Sequence, residues 1–220
     1  MTGIHIDIIS DVMCPWCFIG KKRFEKALSE LDPAIAVTIQ WRPFQLDPTL
    51  PPEGKDRDIY LAEKFGGLER ARALYRNIEE AGAMEGIPFR FDAIRVSPNT
   101  LDAHRLIRWA QNAGEGVQAR VVDRLFELYF LEGANIADHG VLLGVARECG
   151  MDGSIVETLL ASDSDREAVE QEIALAQSMG VSGVPCFIID NKYAVMGAQD
   201  PETIAGAISE IAARKGESGG

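Results

Sequence analysis

Two cysteines with two residues between them, Cys14 and Cys17, are the side chains in this sequence best suited to do chemistry. At this spacing, two thiols at the start of a helix can close a small disulfide ring across one turn. The intervening Pro15 suits the first helical position, because its missing N–H would have no partner inside the helix. The free N–H groups and partial positive charge of a helix N-terminus favour a thiolate over a thiol. The pair is therefore predicted to carry out thiol–disulfide exchange.

The apolar pattern that follows predicts different roles for the two thiols. Cys17 continues an apolar stripe on one face of the helix, which also includes Gly20, Phe24, Leu28 and Leu31. Cys17 is therefore predicted to be buried and to act as the resolving thiol. Cys14 precedes the first full turn, so it is predicted to be exposed and to act as the attacking nucleophile. Trp16 is predicted to be partly exposed and to contact the substrate.

A pair of cysteines at this spacing can also be half of a zinc site. Cys149 and Cys186 could supply two more thiolates, but each is solitary and they do not form a second pair of this type. The redox interpretation is therefore preferred. It requires no metal and no organic cofactor, because the dithiol itself carries the electrons.

The elements that position the pair are predicted to be a strand, a helix and a second strand. Alternating isoleucines predict a strand at residues 4–9, and a helical pattern runs from residue 15 to residue 31. The helix ends at Asp32-Pro33, since the residue before a proline is biased away from the helical region. Residues 35–46 are rich in β-branched and aromatic side chains, which favours a strand. The N-terminal part is therefore a βαβ unit.

The rest of the chain divides into a helical middle and a short β-rich end. After a turn-rich boundary, helices are predicted at residues 68–86, 99–113, 117–131, 138–149, 154–160 and 164–179. Two strands follow at residues 186–189 and 193–196, separated by a turn of hairpin length, before a last helix at residues 202–214.

This order of elements predicts an α/β protein, namely a thioredoxin fold (βαβ…ββα) with an inserted all-helical domain. The thioredoxin-like domain is predicted to comprise residues 1–52 and 180–214, and the helical insertion residues 53–179. Residues 215–220 form a short glycine-containing tail, which is predicted to be disordered.

A second candidate element, Gly183-Val184-Pro185, comes just before the predicted third strand. Proline is tolerated at the first residue of a strand, and an X-Pro bond can be cis. Together with an upstream cysteine pair in a βαβ unit, this position favours a cis bond at Pro185. A cis proline would leave the backbone of Val184 open to pair with an extended substrate beside Cys14.

These segments resemble the DsbA-like family, and most closely its FrnE-like branch of dithiol–disulfide oxidoreductases and isomerases. The resemblance is carried by residues 11–21 around the cysteine pair, by residues 99–105 and by residues 183–185, and it extends from about residue 4 to residue 211. It implies the inserted helical domain, the cis proline and redox exchange at Cys14 and Cys17. Some members of the branch carry a further C-terminal cysteine pair, which is missing here after Cys186.

Several other residues have weaker claims to a role. The resemblance suggests that Asn99 and His104 face the substrate cleft, although a lone helix histidine is more often structural. Asp11 could accept backbone hydrogen bonds in the loop before Cys14, or it could influence proton transfer to the thiols. Cys186 is expected to pack as a small apolar residue, because buried free cysteines behave in this way.

Composition limits the partners. The formal net charge of −12 argues against nucleic acid and against an anionic membrane surface, because both require clustered Lys and Arg. The first residues show neither a basic nor an apolar signal region, and no run approaches the roughly 18 apolar residues of a membrane span. A cytoplasmic location is therefore predicted. The expected partner is a protein or a small, glutathione-like molecule that carries a thiol or a disulfide.

Two other functions remain open on the sequence. Kappa-class glutathione transferases and hydroxychromene-carboxylate isomerases share the predicted architecture, but a serine typically stands where this chain has Cys14. An oxidisable pair would compete with chemistry on bound glutathione, so this function is the alternative. A non-catalytic binding protein or holdase that uses the cleft between the domains is the third.

Overall fold

The centre of the protein is a mixed β-sheet, seen here in a computed structural model that describes residues 2–218. Within these residues the sheet has four strands in the order β2-β1-β5-β6. β1 (Thr2–Ser10) is parallel to β2 (Ile35–Pro43), and β5 (Cys186–Ile189) is antiparallel to both β1 and β6 (Tyr193–Met196). This is the thioredoxin-type α/β fold expected from the sequence.

Two helices cover the sheet and begin with prolines. Helix α1 (Pro15–Ser29) connects β1 to β2, and the C-terminal helix α9 (Pro201–Ser218) packs against both α1 and β1. The prediction that residues 215–220 are disordered is wrong for residues 215–218, which form the end of α9. Residues 219–220 lie outside the described residues. The reason is tertiary: Lys215 Nζ donates to Gly3 O at 3.0 Å and to Asp190 Oδ1 at 2.6 Å, which holds the last turns of α9 in place.

Helices fill the chain between β2 and β5. They are α2 (Arg57–Phe65), α3 (Leu68–Met84), α4 (Leu101–Ala110), α5 (Val117–Glu127), α6 (His139–Glu148), α7 (Gly153–Leu160) and α8 (Arg166–Ser178). A π-helical segment, Leu128–Glu132, continues α5. Aspartate side chains accept N–H groups at the starts of α2, α6 and α7, which satisfies donors that lack intrahelical partners.

The expectation of an all-helical insertion is wrong in one detail. Two short strands, β3 (Lys55–Asp56) and β4 (Val96–Ser97), pair antiparallel inside it, and α2, which directly follows β3, was not among the predicted helices. Gly54 has φ +85° and approaches β4 so closely that a Cβ would lie 2.8 Å from Ser97 O. A two-residue strand has no periodicity of its own, so only this long-range pairing creates it.

The apolar core is continuous between the sheet and the helical segment. One buried cluster contains Ile6 of β1, Phe24 of α1, Leu106 of α4 and Phe126 of α5. Because this packing is continuous, the helices between β2 and β5 are held rigidly against the sheet and α1. The division into two domains at residues 52 and 179 stays a prediction.

No helix among residues 2–218 has the length and apolar character needed to cross a bilayer.

Candidate active site

The two cysteines lie at the N-terminus of α1, where the sheet ends and the helix begins. Cys14 is the N-cap residue, with extended backbone angles (φ −90°, ψ 114°), and Pro15 is in the first turn. Cys14 N donates to Asp11 O at 2.9 Å, and Cys17 N donates to Cys14 O at 3.0 Å. Both cysteines are free thiols. Cys14 therefore lies at the positive end of the α1 helix dipole.

The structure buries both thiols. Cys17 is 1% exposed, which confirms the prediction, but Cys14 is 4% exposed and the prediction that it is exposed is wrong. The start of α1 would be open to solvent if only the sheet and α1 were present. In this structure, residues of α2 and α3 and Val184 surround it, and they line a pocket together with Cys14. Trp16 is 39% exposed, as its position between the cysteines suggested.

The pKa of Cys17 distinguishes it chemically. Burial raises the pKa of the Cys17 thiol well above its usual value, and the neighbouring Cys14 side chain adds to the effect through a hydrogen bond and, as a thiolate, through its negative charge. The Ser10 side chain and the Asp11 backbone act in the opposite direction. Cys17 is therefore held as a thiol at neutral pH, which suits a residue that attacks only after Cys14 has reacted.

The Val184–Pro185 peptide bond is cis, as expected from the sequence, and it faces the dithiol. Cys14 Sγ donates to Val184 O at 3.7 Å. On the other side of the proline, a Cβ placed on Gly20 would lie 2.6 Å from Pro185 Cγ. Glycine at position 20 therefore allows α1 to approach the proline loop, and this approach keeps the Val184 carbonyl next to Cys14.

A pocket of about 430 Å³ opens beside Cys14. We call it the dithiol pocket. Its walls come from the start of α1, from residues 183–184 and from α2 and α3, and they include Trp16, Tyr60, Phe65, Leu74, Tyr75 and Ile78. Lys64 is the single charged residue of this lining. The pocket therefore suits an apolar group next to a carboxylate or another anion.

The walls from α2 and α3 were not found by sequence reasoning. Tyr60 and Tyr75 are spaced as ordinary apolar positions of amphipathic helices, so neither carried a signal for a binding site. Burial raises the pKa of both tyrosines, with nearby Asp47 adding to the effect at Tyr60. Both rings are consequently neutral and act as hydrogen-bonding, largely apolar walls.

Asp11 lies directly behind the dithiol and is 0% exposed. Its Oδ2 accepts a hydrogen bond from Leu46 N at 2.8 Å, and its Oδ1 accepts one from Met13 N at 3.4 Å. Acceptance of backbone N–H groups by Asp11 is therefore confirmed. These bonds tie the loop that carries Cys14 to the chain segment that follows β2.

The structure does not place the predicted substrate contacts Asn99 and His104 in the lining of the dithiol pocket. His104 is 3% exposed, with its Nε2 3.4 Å from Asp11 Oδ1. Asn99 Oδ1 accepts from Leu101 N at 3.0 Å, and Asn99 Nδ2 donates to Leu50 O at 2.6 Å. Asn99 thus accepts the first N–H of α4 and fastens a loop, while His104 packs beside the Asp11 carboxylate behind Cys14. A direct contact with substrate stays a prediction for both residues.

The other two cysteines lie apart from the dithiol pocket. Cys186 is fully buried in β5, where it pairs with Ile9, and burial raises its pKa to about 11. Burial also raises the pKa of Cys149 at the end of α6. Among residues 2–218, no group of three or more His, Cys, Asp or Glu side chains is arranged to hold a metal ion.

Selective alkylation tests this ordering of the thiols. In the reduced native protein, iodoacetamide at about pH 7.5 should label Cys14 at least tenfold faster than Cys17, Cys149 or Cys186, because a raised pKa lowers the thiolate fraction about tenfold per unit. Labelling of Cys186 should increase as the pH rises toward about 11. Peptide mass spectrometry measures the rates, and the unfolded protein, in which all four sites should react, is the control. Equal rates at Cys14 and Cys17 in the native protein would contradict the assignment.

The fold and the site together define a thioredoxin-fold protein with a cysteine pair at the start of α1 and a cis proline facing it. The chain matches the DSBA-like thioredoxin domain family over residues 5–209, and it belongs to that family. It is therefore, in general terms, an enzyme of the thiol–disulfide oxidoreductase type. Assignment to the FrnE-like branch stays a prediction.

Individual proteins show the same relationship. The chain is 28% identical over 216 residues to the uncharacterized protein YwbO of Bacillus subtilis (strain 168), covering 96% of this chain and 99% of that one. Its structure is similar to that of a probable DsbA oxidoreductase from Streptomyces coelicolor (30% identity, TM-score 0.82, 94% of this chain and 89% of the other). It is also similar to a 2-hydroxychromene-2-carboxylate isomerase (16% identity, TM-score 0.72, 97% and 98%), a likeness that shows the fold alone.

Proposed function

We propose that this protein is a dithiol–disulfide oxidoreductase or isomerase in which Cys14 is the nucleophile and Cys17 the resolving thiol. The observation that carries the proposal is the asymmetry of the pair. Cys14 lines the dithiol pocket and contacts the Val184 carbonyl, whereas Cys17 is buried behind it with a raised pKa. Only one of the two sulfurs can therefore meet a substrate.

The reaction proceeds in two exchange steps. The Cys14 thiolate attacks one sulfur of a substrate disulfide, forms a Cys14–substrate mixed disulfide and expels the other substrate sulfur as a thiolate. Cys17 then loses its proton and attacks Cys14 Sγ, which closes the Cys14–Cys17 disulfide and releases the second substrate thiolate. The substrate gains two electrons and two protons, and the enzyme loses them. Every step is reversible, so the same atoms serve oxidation and isomerisation.

The pocket suggests which substrates fit. An extended peptide can donate an N–H to the Val184 carbonyl, while an apolar side chain lies against Trp16 and Tyr75 and an acidic group meets Lys64. The substrate is accordingly a protein or a small, glutathione-like molecule with a thiol or disulfide. We place this exchange in the cytoplasm, because free Cys149 and Cys186 and the absence of a disulfide scaffold suit a reducing compartment.

Trapping with Cys17→Ser tests the proposal. Without the resolving thiol, the mixed disulfide formed at Cys14 cannot be released internally, so a disulfide substrate such as oxidised glutathione or disulfide-bonded insulin should leave one of its sulfurs bound to Cys14. Non-reducing mass spectrometry measures the adduct, which Cys14→Ser should not form. The function is wrong if Cys17→Ser turns over like the native protein without an adduct.

The direction of electron flow follows from the reduction potential of the pair. Equilibration with a glutathione series, followed by quantification of the Cys14–Cys17 disulfide, gives this value. A potential near about −270 mV identifies a reductant, and one near about −120 mV identifies an oxidant.

The fold shared with a 2-hydroxychromene-2-carboxylate isomerase leaves one other function to be tested, a glutathione-dependent isomerisation or transfer. In such chemistry Cys17 has no covalent role, so Cys17→Ser should retain full glutathione-dependent turnover and form no stable adduct. The dithiol route requires the opposite result for the same variant.

A further inference from the structure

A second cavity, of about 450 Å³, lies on the side of α2 and α3 away from the dithiol. Tyr75 lines both cavities and forms the common wall between them. Four arginines line this cavity, and we call it the arginine pocket; they are Arg57, Arg72, Arg76 and Arg95. Its size is within the roughly 300–1,000 Å³ that is typical of small-molecule sites.

The arginines of this pocket lack carboxylate partners in the part of the chain that the structure describes. Among residues 2–218, no Asp or Glu oxygen lies within 4.0 Å of any of the four guanidinium groups. Other arginines of the chain do form ion pairs, for example Arg23 with Glu85 and Arg42 with Asp7. The chain has a formal net charge of −12, so carboxylates are abundant. None of the described carboxylates, however, pairs with the four arginines around this cavity.

Carboxylates are present in the lining but do not neutralise the arginines. Asp58, Glu79 and Asp92 also line the pocket, and all three are exposed. The lining therefore has four cationic and three anionic side chains, and the anionic ones are solvated instead of paired.

Arg57 is the buried member of the group, with an exposed fraction of 5%. Its Nη1 donates to the Tyr129 hydroxyl at 3.1 Å, and its guanidinium lies 5.0 Å from the Tyr75 ring centre and 5.8 Å from that of Phe91. Its Nη2 is buried and has no hydrogen-bond partner in the described part of the chain. A buried cation with an unused donor is costly unless an anion completes it.

We propose that the arginine pocket binds a phosphate-bearing small molecule. Guanidinium groups match phosphate because they donate two parallel hydrogen bonds, and a phosphate group carries enough acceptor oxygens for several arginines. Arg57 supplies a buried positive charge in the wall, with one donor, Nη2, that no described group uses, and Arg72, Arg76 and Arg95 supply exposed donors. The Tyr75 and Phe91 rings offer an apolar face to the rest of the ligand. This site is distinct from the dithiol pocket and goes beyond the exchange function.

Isothermal titration with inorganic pyrophosphate tests the proposal on the intact protein. Arg72→Gln and Arg76→Gln should each weaken binding about tenfold or more, because each removes a charge-assisted hydrogen bond. The matched control is Arg70→Gln, which removes the same charge from an exposed, unpaired arginine of α3 outside the pocket and should change the affinity less than about twofold. Cys14→Ser should bind like the native protein, which separates this site from the exchange function.

Three outcomes would overturn the proposal. The first is the absence of pyrophosphate binding by the native protein in low salt. The second is equal weakening by Arg70→Gln and Arg76→Gln, which would indicate a general charge effect. The third is tighter binding of citrate than of pyrophosphate, which would assign the pocket to carboxylates instead of phosphates.

Discussion

Replacement of Cys14 by serine should lower the rate of disulfide exchange by about three orders of magnitude or more, which is the typical consequence of removing a covalent nucleophile. A hydroxyl is not ionised at neutral pH and does not attack a disulfide, whereas the native Cys14 sulfur lies at the pocket beside the Val184 carbonyl. The reduction of insulin disulfides, followed under single-turnover conditions, measures the effect.

The control for this variant is Cys149→Ser. Cys149 is 6% exposed at the end of α6 and does not line the dithiol pocket, so its substitution should leave exchange unchanged. Because the serine at position 14 is nearly isosteric, the unfolding midpoint of Cys14→Ser should stay close to that of the native protein. Retention of a tenth of the native rate by Cys14→Ser would show that another thiol performs the attack.

The largest effect on stability is expected from Arg105→Met. Arg105 is the largest fully buried side chain among the described residues, and it joins α4 to the connection between α7 and α8. Its acceptors are Ser164 O at 2.7 Å, Asp102 Oδ1 at 2.8 Å, Leu159 O at 2.7 Å and Ser162 O at 2.6 Å. Methionine fills part of the volume but removes all four of these hydrogen bonds.

Loss of one partner from a buried charged network costs about 3–5 kcal/mol, so the free energy of unfolding should fall by that amount in Arg105→Met. For a domain of this size the unfolding temperature should fall by about 2–4 °C per kcal/mol. Urea titration and calorimetry measure both quantities.

Arg108→Met on the same helix is the matched control. Its side chain is 38% exposed and pairs with Glu172, so it should cost about 1 kcal/mol or less. Equal losses in the two variants would contradict the anchoring role.

The sequence by itself predicted the chemistry and the order of the main elements. The Cys14-Pro15-Trp16-Cys17 spacing predicted the helix start and the exchange reaction, and the apolar stripe predicted the burial of Cys17. The βαβ and ββα patterns predicted the sheet, and Pro185 was correctly expected to follow a cis bond. These features are local or periodic, so they are visible in a single chain without knowledge of its packing.

Only the tertiary structure decided what surrounds the dithiol. The burial of Cys14 depends on α2 and α3 standing above it, and the Tyr60 and Tyr75 walls come from helices whose own patterns indicate only an apolar face. The packing of α4 places His104 beside Asp11 and leaves Asn99 bound to the first N–H of the helix, while contact of either residue with substrate stays a prediction. The β3–β4 pair and the last turns of α9 likewise depend on partners 40 to more than 200 residues away. Contacts across such separations leave no period in the sequence, which is why the cysteine pair could be proposed as the site from the residues alone and the pocket beside it could not.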